Sequence, residues 1–171
     1  MNCPDCGHEN IPGADSCEKC GQSLTGMQIP GSEIEQSIIA HPVSVLATKA
    51  PFSIDQQVIV RDAIQTMVDR KVGCLLITED DVLSGIFTER DVLNRITPDP
   101  AAMEQPVGNH MSRTPARLKA DDSIAYALHT MSINGYRHLP VVDAEDKPVS
   151  IVSSRDILRL LAVRFADIRS D

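Results

Sequence analysis

Aromatic residues are nearly absent: three Phe, two Tyr and no Trp make up 3% of the 171 residues. Stacking platforms for single-stranded nucleic acid need such rings, so that class of partner is disfavoured. Positive charge is also short. Sixteen Lys and Arg stand against 24 Asp and Glu, for a formal net charge of −8 and a pI of about 5.0. A global footprint for DNA or an anionic membrane is therefore missing, and only a local basic patch could supply one. No apolar run reaches transmembrane length. The first residues, Met1-Asn2-Cys3-Pro4, offer neither the basic region nor the apolar stretch of a signal peptide. The expectation is a cytoplasmic protein with no membrane partner. No nucleophile–base pair and no open metal site emerge from the sequence, so an enzyme is not expected.

Cysteine, by contrast, comes in a pattern. Four of the five cysteines form two pairs, Cys3-Pro4-Asp5-Cys6-Gly7 and Cys17-Glu18-Lys19-Cys20-Gly21. Two intervening residues let both thiolates of a pair reach one tetrahedral ion, and the following Gly permits the tight turn. The stretch between the pairs is too short for a core, so residues 1–21 need a staple. Four thiolates fill a zinc shell and leave no open position. A structural zinc held by Cys3, Cys6, Cys17 and Cys20 is therefore expected, with two disulfides or a redox pair as the alternatives. His8 lies beside this set and is not needed as a ligand. The run resembles the short zinc-ribbon modules found at the ends of many bacterial and archaeal proteins. Residues 22–42 read as a linker rich in Gly, Ser and Pro, then a short helix from Glu33 toward Ala40 that Ser32 caps and His41-Pro42 ends.

The remainder repeats itself. From Ala47 to Ile77, adding 64 to a residue number lands on its counterpart: Pro51 on Pro115, Val60 on Ile124, Ala63 on Ala127, Met67 on Met131, Leu75 on Leu139. After a one-residue insertion the offset is 65, and Ile86-Phe87-Thr88-Glu89-Arg90-Asp91-Val92-Leu93 maps onto Ile151-Val152-Ser153-Ser154-Arg155-Asp156-Ile157-Leu158. A repeat this dense fixes architecture before any single motif does. In the second copy, Asp122 or Ser123 caps a helix whose Ile124, Ala127, Leu128 and Met131 form one stripe, and Asn134-Gly135 ends it. His138 to Val142 and Val149 to Val152 read as strands around a turn, and Ser153 starts a helix with Ile157, Leu158, Leu160 and Leu161 toward the core. The first copy follows the same course: a helix from about Val60 to Arg70, strands Gly73 to Thr78 and Val82 to Phe87, and a helix from Thr88. Each unit is β-α-β-β-α. One unit leaves a sheet face open, so two should pack together.

Thr48-x-x-Pro51, Arg137-His138-Leu139-Pro140-Val141-Val142-Asp143, Gly85-Ile86-Phe87-Thr88-x-x-Asp91 and Ser150-Ile151-Val152-Ser153-x-x-Asp156 carry a family resemblance. From about Val43 to Ile168 the chain resembles a tandem pair of CBS domains, named for cystathionine β-synthase. The resemblance implies an α+β fold: repeats at 43–100 and 101–171, packed as a pseudo-twofold pair behind the small zinc ribbon. It implies a regulatory sensor that binds an adenosyl ligand (AMP, ADP, ATP, S-adenosylmethionine or the NAD class) in the cleft between repeats. It also implies a homodimer, which the apolar Leu158, Leu161, Val163 and Phe165 suit, and a regulated protein partner.

The chemistry of the motif agrees. A carboxylate accepts two hydrogen bonds from a vicinal diol, so Asp91 and Asp156 would hold ribose. Thr88 and Ser153, at helix N-termini, would hold phosphate. Both phrases are equally plain helix caps, and capping and binding can coexist. The halves differ. Arg137 and His138 stand where the first copy has Gly73 and Cys74, so the stronger site is expected at Arg137, His138, Ser153 and Asp156. Thr48, Lys49 and Pro51 would close over its base and Arg155 lies within reach of phosphate. The weaker site would use Thr88 and Asp91 with Thr114 and Pro115 of the Ser112 to Pro115 segment. Ser150 stands where the family has Gly and would crowd a ligand there. The alternative reading is a zinc-ribbon adaptor for nucleic acid or protein partners with vestigial ligand sites.

Overall fold

The computed structural model describes residues 2, 3, 5–11, 14, 16–24, 40–46 and 50–168. Thr48, Lys49, most of the expected linker and, but for Ala40, the helix expected from Glu33 toward Ala40 lie outside that set. Among the described residues no helix is long and apolar enough to cross a membrane.

The chain forms two compact units that cut across the repeat. One comprises 48–119 with 138–151, the other 1–47, 120–137 and 152–171. In the first, strand β1 (Ser53–Asp55) leads to helix α1 (Val60–Arg70), then to β2 (Cys74–Glu79), β3 (Val82–Thr88) and the short helix α2 (Glu89–Asp91). The sheet order is β1-β2-β3-β4, with β4 being Ser112–Arg113. β1 runs parallel to β2, while β3 is antiparallel to both β2 and β4. Between α2 and β4 lie a π-helical stretch, Val92–Ile96, and two 3-10 turns.

Alternation along β2 explains its unbroken apolar run. Leu75 and Ile77 face α1, packing with Val60, Ala63, Met67, Phe87 and Met111. Cys74 and Leu76 face the other way, with Leu83, Ile86 and Val142. A strand covered on both faces needs no polar alternation. Burial pushes the Cys74 thiol up to about 12, with Glu89 adding to the shift, so Cys74 is an inert strand residue.

In the other unit the caps fall where the sequence asks. Helix α3 (Ile124–Asn134) begins at Ser123, whose Oγ accepts from the Tyr126 N–H at 3.1 Å, and Gly135 closes it at φ 65°. Ile124, Ala127 and Met131 are buried. Strands β5 (His138–Val142) and β6 (Pro148–Ser153) form a second small sheet that belongs to the first unit up to Ile151, and β6 leads into helix α4 (Ser154–Ile168) of the other. On α4, Ile157 is buried, but Leu158 is 64% exposed and does not face the core as its apolar neighbours suggest.

Candidate functional site

The cysteines are built as two matching turns. In the first, the Gly7 N–H donates to the Cys3 carbonyl at 2.8 Å and the Cys3 N–H to the His8 carbonyl at 2.8 Å. In the second, Gly21 donates to Cys17 at 2.9 Å and Cys17 to Gln22 at 2.8 Å. Both glycines take the left-handed backbone, at φ 68° and 74°, which such a turn demands. Leu24 is buried beneath Cys3 and Cys17. The four sulfurs lie within 4.8 Å of one another. Cys3 and Cys20 are 3.5 Å apart and Cys6 and Cys17 3.6 Å, so no pair is a disulfide. Sulfurs bound at about 2.3 Å around a tetrahedral ion stand roughly 3.8 Å apart, so this cluster could hold a metal.

Burial opposes ionisation of Cys17, but the backbone N–H groups of Cys20 and Lys19 and the Asn10 amide outweigh it and lower that thiol to about 6. Cys20 has a backbone hydrogen bond from Gln22, yet burial and the three neighbouring thiols hold it at about 12. An early thiolate at Cys17 beside a Cys20 thiol that resists a second charge is an arrangement that a divalent cation stabilises. Asn10 is a residue that spacing alone does not single out. It is buried; its Nδ2 contacts Cys17 Sγ at 3.6 Å and its Oδ1 accepts from the Glu18 N–H at 3.0 Å, orienting the second turn.

The paired Thr/Ser-x-x-Asp phrases both form reciprocal caps. Thr88 Oγ1 donates to Asp91 Oδ2 at 2.6 Å, the Thr88 N–H donates to the same oxygen at 2.9 Å, and the Asp91 N–H returns to Thr88 Oγ1 at 3.3 Å. Ser153 and Asp156 reproduce this at 2.5, 3.0 and 3.2 Å. The preceding chain is placed identically too. The Glu89 N–H donates to the Gly73 carbonyl at 3.1 Å, and its counterpart Ser154 donates to Arg137 at 3.0 Å. Arg137 thus enters beside the start of α4, exposed, with no ion-pair partner among the described residues. His138 is half-buried at the start of β5, and Arg155 is exposed.

Beyond the caps the copies diverge. Asp91 is 7% exposed, and its Oδ1 also accepts from Ser112 Oγ at 3.2 Å and faces Arg95 Nε at 3.5 Å. Asp156 is half-buried, and among the described residues its Oδ1 has no partner. Where Arg137 stands in the second copy, the first has Gly73, whose Cβ would meet the Glu89 carboxylate at 3.4–3.5 Å. Thr114 is exposed and holds φ 45°, a left-handed conformation that strains a β-branched residue. Pro51 and Pro115 are half-buried. Gly85 answers to packing: a Cβ there would meet Met111 Sδ at 2.3 Å, Met111 Cγ at 2.8 Å and the Ser112 carbonyl at 3.0 Å. Its counterpart Ser150 carries a side chain without difficulty, half-buried on β6.

Known proteins resemble this chain in sequence and in fold. The 17.7 kDa protein of the bps2 3′ region of Acidianus ambivalens is 30% identical over 124 residues, covering 72% of this chain and 74% of its own. The CBS domain-containing protein CBSCBSPB1 of Arabidopsis thaliana is 34% identical over 87 residues, and this chain spans 16% of its length. Among solved structures, the CBS domain NE2398 superposes with a TM-score of 0.66 at 25% identity, covering 71% of this chain and 97% of that one. The CBS domain pair of MJ0100, solved with 5′-methylthioadenosine and S-adenosyl-L-methionine, gives 0.65 at 23% identity over 72% and 97%. CBSX2 in complex with AMP gives 0.63 at 22% over 74% and 98%. The model of the CBS domain matches residues 43–98 and again 107–163, more than half of the sequence. This chain belongs to the CBS domain family, as a tandem pair.

Proposed function

We propose that this chain is a regulatory module that binds an adenosyl ligand through Ser153 and Asp156, with phosphate or another anionic group toward Arg137. The observation that carries it is the half-satisfied Asp156 carboxylate, with Oδ2 held by the Ser153 cap and Oδ1 without a partner among the described residues. An open carboxylate oxygen accepts from a ribose diol. Behind it, α4 runs for 15 residues, and its N-terminus favours negative charge. That pairs of this fold have been solved with S-adenosyl-L-methionine and with AMP supports the ligand class.

The four cysteines, on this reading, hold one structural zinc, a closed site that fixes residues 2–24 rather than performing chemistry. The exposed Leu158 and Val163 on α4 support a homodimer formed through this helix.

The test is titration of ATP, AMP and adenosine into the intact protein and its variants. Asp156→Ala should weaken all three by roughly ten- to a hundredfold, the equivalent of about 1.5–3 kcal/mol for hydrogen bonds to a charged group. Arg137→Ala should weaken ATP more than adenosine. If Asp156→Ala costs a little stability and leaves affinity alone, the motif is a cap, and the protein is an adaptor with vestigial ligand sites.

A further inference from the structure

We propose that Arg95, with Ser112, plugs the first repeat, so that Asp91 is closed to ribose and the chain takes one adenosyl ligand, at Asp156. This rests on the functional reading above and adds which repeat binds and which residue decides it.

A diol needs carboxylate oxygens with free lone pairs. Those of Asp91 are spoken for: Oδ2 accepts from the Thr88 backbone and hydroxyl, and Oδ1 accepts from Ser112 and faces Arg95. The Arg95–Asp91 contact is long and the arginine is partly exposed, so as an ion pair it contributes little. Its strength as a plug is geometric. Arg95 Nη1 donates to the carbonyls of both His110 and Met111 at 2.7 Å, so the guanidinium is fixed across the carboxylate and the approach to β4. A ribose entering here would have to turn Ser112 away, displace the guanidinium and strip two carbonyls of their donor.

Among the described residues, Asp156 in the second copy meets no such hydroxyl or guanidinium. The repeat offset of 65 puts Leu160 opposite Arg95, and a leucine donates nothing. Charge points the same way. Glu89 stands at the helix start where the second copy has Ser154, beside Gly73 in place of Arg137, so the first copy meets a phosphate with an acid.

The experiment titrates AMP and S-adenosylmethionine by calorimetry into the full chain, Asp156→Ala, Arg95→Leu and Arg95→Leu/Asp91→Asn. Wild type should bind one ligand per chain, and Asp156→Ala should lose it by tenfold or more. Arg95→Leu, which copies Leu160, should gain a second binding event that Asp91→Asn then removes. Two equivalent sites in the wild type, binding that survives Asp156→Ala, or a folded Arg95→Leu that still takes one ligand would each overturn the plug while leaving the family of ligand intact. Should Arg95→Leu fail to fold, the wild-type stoichiometry and the Asp156→Ala titration still decide. Failure of the wild type to bind either probe would overturn the functional reading, and the plug with it.

Discussion

Replacing Gly85 by Ala separates two reasons for a glycine. The family resemblance assigns this position to the ligand motif, whereas the structure assigns it to packing between β3 and the chain entering β4. The added Cβ would sit 2.3 Å from Met111 Sδ, 2.8 Å from Cγ and 3.0 Å from the Ser112 carbonyl oxygen. Met111 is buried among Val60, Leu75 and Phe87, so its thioether has little room to retreat. The carbonyl is fixed by the pairing of Ile86 with Ser112. Overpacking of this kind costs about 1–3 kcal/mol. Urea unfolding should therefore show a lower midpoint with an unchanged slope. Met111→Ala alone should cost about 2–5 kcal/mol as a cavity. In the double variant the Cβ occupies part of that cavity, and the combined loss should fall short of the sum by about 1 kcal/mol or more. Strict additivity refutes the packing account. So does a Gly85→Ala protein of full stability whose affinity for AMP has dropped, which would return the glycine to the ligand.

Two further outcomes follow from the other clusters. Protein purified without chelator should carry one zinc per chain, and Cys20→Ser should lose it and expose residues 2–24 to protease; metal-free protein, or a mass lowered by disulfide formation, refutes this. On α3, burial holds the His129 imidazole below its ordinary 6.5, with Nε2 buried and without a partner among the described residues. The unfolded chain then binds more protons than the folded one below about 6.5, so stability present at pH 7 falls as the pH drops through that value toward the folded one. His129→Leu should flatten this acid limb of the melting temperature without a loss at pH 7.5, and an unchanged limb refutes the assignment.

Local rules made much of the fold legible. The bounds of α1, the Ser123 cap and the Gly135 stop follow from spacing and turn chemistry, because caps are satisfied by residues a few positions away. The face of β2 that meets α1 was readable as an apolar run but not as two faces, since burial on both sides erases alternation. The π-helical Val92–Ile96 was not readable: its mark is the Thr97 N–H reaching back to Val92 at 2.9 Å, and side-chain periodicity carries no such signal. Leu158 sat in an apolar string, Ile-Leu-x-Leu-Leu, whose composition does not say which members turn outward. At the candidate sites, the Thr88–Asp91 and Ser153–Asp156 bonds were within reach of sequence reasoning because both partners are three residues apart. The guanidinium of Arg95 was not, because its partners at 110 and 111 are joined to it only by the fold.

The pairing of β3 with β4 sets a clock on synthesis. As the chain leaves the ribosome, β2 and β3 can zip at once, but the far edge of β3 at Gly85 and Ile86 waits for Arg113 and Ser112. At about 5–20 residues per second, that delay is on the order of seconds. Throughout it, the nascent first repeat displays an unpaired apolar strand edge, the kind of surface that chaperones and sister chains compete to cover. The first repeat is therefore incomplete when its own residues have been made: its sheet takes its last strand, Ser112–Arg113, from the second stretch that the CBS domain model matches, 107–163.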